Sequence, residues 1–221
     1  MLNDISIRVK IIDAAKRLYQ KNMLAAADGN ISYKISDDCI LMTPAGVSKA
    51  YITPEDLAVI TLDNKIIAGN PSSERLMHLG VYNKCPQAKC VVHAHPPTAI
   101  AWTIAKPDLS ELPSECLSEL ILGVGRIPIA PYARPGTVAM SDVLFPLLLE
   151  NPVMILARHG ALAWAGTLEE AVNGIERLEH TAEILLKAEM LGGITRLPEV
   201  EVAYLREKRK QICENGNVRI L

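Results

Sequence analysis

The segment Lys89-Cys90-Val91-Val92-His93-Ala94-His95-Pro96-Pro97 reads as a buried strand that ends on two imidazoles and passes at once into a helix. An apolar run this short belongs to a strand, here Lys89 to His95, and the stretch from Pro97 to Ala105 to the helix behind it. The alternation continues on both sides. A helix over Ser73 to Lys84 comes before; a strand near Ile127 to Ala130, a helix from Thr137 to Glu150, strands at Val153 to Ala157 and Ala161 to Ala165, and a long helix from Leu168 to Leu191 come after. Such a mixture predicts an α/β fold, a central sheet covered by helices.

Upstream of Pro71 strands dominate. Ile31 to Ile35 and Cys39 to Thr43 flank the turn residues Ser36-Asp37-Asp38, and Ala58 to Leu62 with Lys65 to Ala68 gives a second hairpin pattern. The chain opens on an amphipathic helix, Ile5 to Met23, with Val9, Ile12, Ala15, Leu18 and Tyr19 at helical spacing and Asp28-Gly29-Asn30 as a break beyond it. With no linker and no internal repeat, one domain is expected over residues 1–221, closed by a surface helix and frayed tail from about residue 198.

Composition excludes several classes of function. Of the 221 residues 49% are apolar and only 4% aromatic, so the core must be built from Ala, Val, Ile and Leu. The mean hydropathy of +0.17 and the net charge of -2 exclude disorder. They also leave no global field to gather nucleic acid or an anionic membrane, so any phosphate must be bound locally. Five cysteines without a CxxC pair suggest reduced thiols, and with no signal-peptide pattern at Met1 to Arg8 and no long apolar run the expected location is the cytoplasm.

His93 and His95, two apart on a strand, project to the same side, as two ligands of one metal ion would. A hydrogen-bonded pair at a strand end would look the same. A third imidazole, His159, follows the apolar run Val153 to Ala157 and precedes Gly160, again at a strand exit, where α/β folds place their ligands. Three histidines with open coordination positions match a catalytic zinc set. Ser72-Ser73-Glu74 enters a helix either as ordinary capping residues or as uncapped amides suited to a phosphate. Gly29-Asn30 and Ala45-Gly46 can present amides in the same way. His78, four residues after Glu74, and His180 are read as packing or surface residues.

Gly29-Asn30-Ile31-Ser32, Thr43-Pro44-Ala45-Gly46-Val47, Pro71-Ser72-Ser73-Glu74, the His93/His95 pair, Ala130-Pro131-Tyr132, Pro135-Gly136-Thr137 and His159-Gly160 follow one another in a single order. As a set they resemble the class II aldolase/adducin family over roughly residues 8 to 190. The resemblance implies a three-layer α/β/α sandwich with a mainly antiparallel sheet, assembled as a homotetramer with active sites at subunit junctions. It implies zinc, or another divalent metal, on His93, His95, His159 and Glu74, with Glu74 also the catalytic acid/base. It implies a substrate phosphate on Gly29, Asn30, Gly46, Ser72 and Ser73. The activity implied is cleavage of a ketose 1-phosphate into dihydroxyacetone phosphate and an aldehyde. Dehydration, epimerisation and decarboxylation of a 3-oxo acid phosphate on the same metal site, or a non-catalytic adducin-like module, are the alternatives.

The chain departs from the fuculose-phosphate aldolases of that family in two places. Between Leu112 and Gly123, where those enzymes carry a catalytic tyrosine, it has none, and Ala45 stands where they have a threonine. Glu119, or else Glu115, is the candidate second acid/base, and apolar Leu120 and Ile121 beside Glu119 are expected to raise its pKa. Its alternative is an ordinary carboxylate on a helix surface.

Overall fold

A computed structural model describes residues 2–216 and residue 220. Its elements run α1 (Leu2–Gln20), β1 (Asn30–Lys34), β2 (Cys39–Met42), a 3-10 turn (Pro54–Asp56), β3 (Ala58–Thr61), β4 (Ile66–Ala68), α2 (Arg75–Lys84) and β5 (Cys90–Ala94). They continue with α3 (Pro97–Ala105), α4 (Ser118–Gly123), β6 (Ile129–Ala130), α5 (Val138–Leu148), β7 (Val153–Leu156), β8 (Gly160–Ala165), α6 (Leu168–Met190) and α7 (Glu199–Gly216).

Among the described residues one eight-stranded sheet has the order β4-β3-β2-β1-β5-β8-β7-β6. Its neighbours pair antiparallel except β6 and β7. β5 is buried along its whole length at the middle of the sheet, which is why it reads as a continuous apolar run. Strand side chains alternate faces, so the sheet feeds two cores. Val92, Ala94 and Ala163 face one, with Ile11, Leu18, Trp102, Ile175 and Leu178 from α1, α3 and α6. Val91, Leu162 and Trp164 face the other, with Met77, Val81, Met140 and Leu144 from α2 and α5. The result is the expected α/β/α sandwich.

Local chemistry sets the element ends. Thr167 and Glu170 form a reciprocal capping box at the start of α6: the Glu170 N–H donates to Thr167 Oγ1 at 3.2 Å and the Thr167 N–H to Glu170 Oε2 at 3.1 Å. A cap of this kind stabilises a helix by about 1 kcal/mol. The helix expected from Ser73 starts at Arg75, because Ser72 and Ser73 lie in a turn before it. Two elements are additions to the sequence reading, the 3-10 turn and α4. The C-terminal helix is present and packs on α4, burying Val202. Of the tail, residues 217–219 and 221 lie outside the described residues. All five cysteines are free thiols, and among the described residues no helix is long and apolar enough to cross a membrane.

Candidate active site

Antiparallel pairing gathers the site. β1 begins where β5 ends, with Asn30 opposite His93, and β8 begins at the same edge, with Ala161 opposite Ala94. His159 sits in the tight turn between β7 and β8, where Arg158 adopts φ +58° and the His159 N–H closes on Leu156 O at 3.0 Å. Gly160 follows because nothing larger fits: a Cβ there would lie 2.5 Å from Ala94 O, 2.8 Å from His93 Cε1 and 2.9 Å from His95 Cδ2. Gly29, at φ +69°, is required in the same way, since a side chain would strike Leu24 and His93 O.

Ligand atoms of Glu74, His93, His95 and His159 lie within 4.8 Å of one another. His93 Nε2 is 3.0 Å from His95 Nε2 and 3.2 Å from Glu74 Oε2, and His159 Nε2 is 3.2 Å from Glu74 Oε1. The His93 Nδ1–H donates to Ala161 O at 2.9 Å, so its Nε2 carries the lone pair. His95 turns Nδ1 toward Asp28 Oδ2, 3.4 Å away, and so aims its own Nε2 lone pair at the same point. Lone pairs converging on each other and on a carboxylate repel unless a cation stands between them. Glu74 Oε1 is, besides, buried with no hydrogen-bond donor. The donor set, three imidazoles and one carboxylate, with the outer nitrogens of His93 and His95 turned to protein acceptors, fits a divalent metal ion.

The electrostatics agree. Burial by itself would raise Glu74, but its contacts with His159 and His93 outweigh that and hold the carboxyl far below the ordinary range. Burial, then repulsion from His93 and His159, pushes His95 down to about 4. Burial, then His93, pushes His78 down to about 3. A neutral His95 beside an ionised Glu74 is the form that binds metal at neutral pH.

A basin of about 350 Å³ opens beside the cluster, lined by Asp28, Gly29, Asn30, Gly46, Ser72, Ser73, Glu74, His95 and His159 together with Lys49, Pro135 and Gly136. Every residue expected to hold a phosphate is therefore on its wall. The Asn30 carboxamide, however, is engaged at both ends: its Nδ2–H donates to Glu74 Oε2 at 2.9 Å and its Oδ1 lies 2.5 Å from His78 Nε2. Ser72 Oγ accepts a long 3.3 Å bond from the Glu74 N–H, so the Ser72 hydroxyl contributes only weakly as a cap.

Three residues on or behind this wall were not in the expected set. Lys49 is buried and donates to Ala27 O and Val47 O, both at 2.7 Å, fastening together the two turns that flank the basin. Asp28 orients His95, and its place next to Gly29-Asn30 was the available signal. His78 is a packing residue, as expected, and not a ligand, but it also holds Asn30. Neither Glu119 nor Glu115 lines the basin. Glu119 is exposed, and the expected rise in its pKa is reversed: the Ser118 hydroxyl, donating at 2.9 Å, draws it below the usual value, since Leu120 and Ile121 point into the core and leave the carboxylate in water. Glu115 is committed to ion pairs with Arg196 and Arg206.

Comparison with known proteins places this geometry. Residues 9–186 match the family described as Class II Aldolase and Adducin N-terminal domain. A 3-oxo-tetronate 4-phosphate decarboxylase of Escherichia coli O6:H1 is 32% identical over 209 residues, covering 91% of this chain and 95% of the relative. A 5-deoxy-D-ribulose 1-phosphate aldolase of Bacillus thuringiensis serovar kurstaki is 32% identical over 205 residues, covering 91% and 94%. A solved L-fuculose 1-phosphate aldolase superposes with a TM-score of 0.83 at 26% identity, covering 93% of this chain and 96% of that one. The chain belongs to the class II aldolase and adducin family.

Proposed function

We propose that the protein is a divalent-metal-dependent lyase that breaks a bond from the carbon next to the ketone of a small phosphorylated substrate, and that the bond broken is the one to a carboxylate: decarboxylation of a 3-oxo-tetronate 4-phosphate. The observation that carries the lyase reading is the donor cluster of Glu74, His93, His95 and His159 opening on a basin walled by turn amides and hydroxyls. Those four residues would hold the metal, zinc in the first instance. Bound there, a divalent cation supplies Lewis-acid stabilisation of the negative charge that cleavage leaves on the substrate oxygens.

The chain's own residues do the rest. Amides and hydroxyls at Gly29, Gly46, Ser72 and Ser73, with the Asn30 main chain beside them and Lys49 nearby, receive the phosphate. Carbon dioxide departs without a proton, so decarboxylation asks for one proton transfer, delivery to the carbon left with the electron pair. Glu74, at the basin floor, serves that transfer with a proton taken from water. The decarboxylase relatives support this choice, as does a Leu112 to Gly123 stretch without tyrosine.

Aldol cleavage of a 5-deoxyketose 1-phosphate is the second reading, favoured by the 5-deoxy-D-ribulose 1-phosphate aldolase relative. It requires a further base for the C4 hydroxyl. In a homotetramer with sites at subunit junctions, Glu119 is the exposed carboxylate that α4 would offer to a neighbouring site. The deciding experiment measures carbon dioxide and dihydroxyacetone phosphate from both substrates, with zinc-loaded and chelator-stripped protein. Metal-dependent release of both products from the 3-oxo acid supports decarboxylation. Dihydroxyacetone phosphate released from the ketose alone replaces it with aldol cleavage, and a preference for manganese, cobalt or iron would replace zinc.

A further inference from the structure

Behind Glu74 runs a row of buried polar groups that metal binding does not use. Glu74, the residue before α2, and His78 and Tyr82 within it recur every four residues, and Asn30 and Ser32 stand two apart on one face of β1. The two rows interlock. Tyr82 Oη lies 2.9 Å from Ser32 Oγ, Ser32 Oγ 2.7 Å from His78 Nδ1, His78 Nε2 2.5 Å from Asn30 Oδ1, and Asn30 Nδ2 2.9 Å from Glu74 Oε2. Asn30, Ser32, His78 and Tyr82 are each 3% exposed or less, and of the whole row only Glu74 and Asn30 line the basin.

Chemistry fixes the direction of every bond. An ionised carboxylate accepts, so Asn30 must turn its NH2 toward Glu74 and its oxygen toward His78. That oxygen needs a donor, which places the His78 proton on Nε2. A neutral imidazole then accepts at Nδ1, taking the Ser32 hydroxyl proton, and the Ser32 oxygen is left to accept from Tyr82. All four donors point toward Glu74, an arrangement in which each bond polarises the next.

We propose that His78 is a positioning residue: through Asn30 it holds Glu74 Oε2 and so sets how the carboxylate is presented to the metal cluster, where Oε1 faces His159. The proposal rests on the reading of Glu74 as the proton-transfer group. It states which carboxylate oxygen the protein holds and that His78, buried and away from the basin, decides it through Asn30.

The spectroscopic test needs no substrate. In zinc-loaded protein with nitrogen-15 histidine, His78 should show its proton on Nε2, slow to exchange with water; a proton on Nδ1 would mean the row runs the other way and would overturn the proposal. For the kinetic test, losing an oriented outer partner of this kind costs about 10- to 100-fold in activity. His78→Leu should lose that much in kcat while KM and zinc content stay at wild-type values. His78→Gln, whose amide can donate to Asn30 and accept from Ser32, should recover most of it. Equal kcat for the two variants, or no loss in either, overturns the proposal. If His78→Leu does not fold, Ser32→Ala replaces it, with an expected fall in kcat of about threefold, the worth of one neutral hydrogen bond; wild-type kcat there overturns the proposal equally. Glu74→Gln separates the two readings: full turnover in that variant removes Glu74 from the chemistry whatever the His78 tautomer proves to be.

Discussion

At the start of α2 and again at the start of α4 the chain sets a serine before a glutamate, Ser73-Glu74 and Ser118-Glu119. Glu74 turns inward to His93, His159 and Asn30, and α2 continues the row behind it with His78. Glu119 stays in water on the adjacent Ser118 hydroxyl, while its carbonyl accepts from Arg177 at 3.2 Å. The same dipeptide thus gives a metal ligand in one place and a solvated charge in the other. What separates them is the surroundings: three strand ends converge on Glu74, whereas α4 packs on α7 and α6 and carries its glutamate outward.

The harshest test of that contrast removes the surroundings. His95→Ala should lose the metal and turnover together, measured as metal per chain and product formation; activity retained without metal would discard the metal mechanism. Glu74→Gln comes next. It should keep much of the zinc on the three histidines and lose about 100- to 10,000-fold in kcat, the usual worth of a general acid or base. Gly160→Ala probes the convergence itself. Its methyl would meet the Ala94 carbonyl and both imidazoles, and the expected loss in denaturant unfolding is about 1 to 3 kcal/mol, as for other overpacked positions.

Acid should distinguish the two helix starts without mutation. In the folded chain His78 is pushed down to about 3 from 6.5. As pH falls below 6.5 the unfolded chain binds a proton that the folded chain refuses, so stability is complete above that pH and declines toward about pH 3. One such proton gives a slope of about 1.4 kcal/mol per pH unit. His95, pushed down to about 4, adds a slope of the same sign, so urea midpoints of chelator-stripped protein should follow the sum, and His78→Gln should remove about one proton's share of it. An unchanged slope in that variant would mean that His78 titrates normally.

Much of this was legible in the chain because periodicity is local. The unbroken apolar run ending in His93 and His95 gave the central strand, and His159-Gly160 the neighbouring turn. The α4 helix was not legible: six residues between Leu117 and Val124 are too few to show a helical period. Lys49 was hidden for a different reason, because its ammonium is satisfied by carbonyls at Ala27 and Val47 that only folding brings to it. His78 had a signal, its place four residues after Glu74, but spacing alone offers metal ligation or packing as readings. The role in the row depends on Asn30 and Ser32, more than forty residues away on β1.

Glu119→Gln should have the smallest effect. In the folded chain its carboxylate is solvated, drawn below its usual pKa first by Ser118 and also by Arg177, and lies off the basin wall, so within one chain it meets no substrate group to deprotonate. Removing one exposed charge changes stability by less than about 0.5 kcal/mol, and if α4 only faces water kcat should stay within about twofold, a difference too small to assign to a transition-state contact. A fall of the size predicted for Glu74→Gln would mean that an assembled neighbour desolvates α4 and gives Glu119 the surroundings that Glu74 already has. Aldol cleavage would then gain its missing base, and the serine-glutamate starts of α2 and α4 would be two halves of one site.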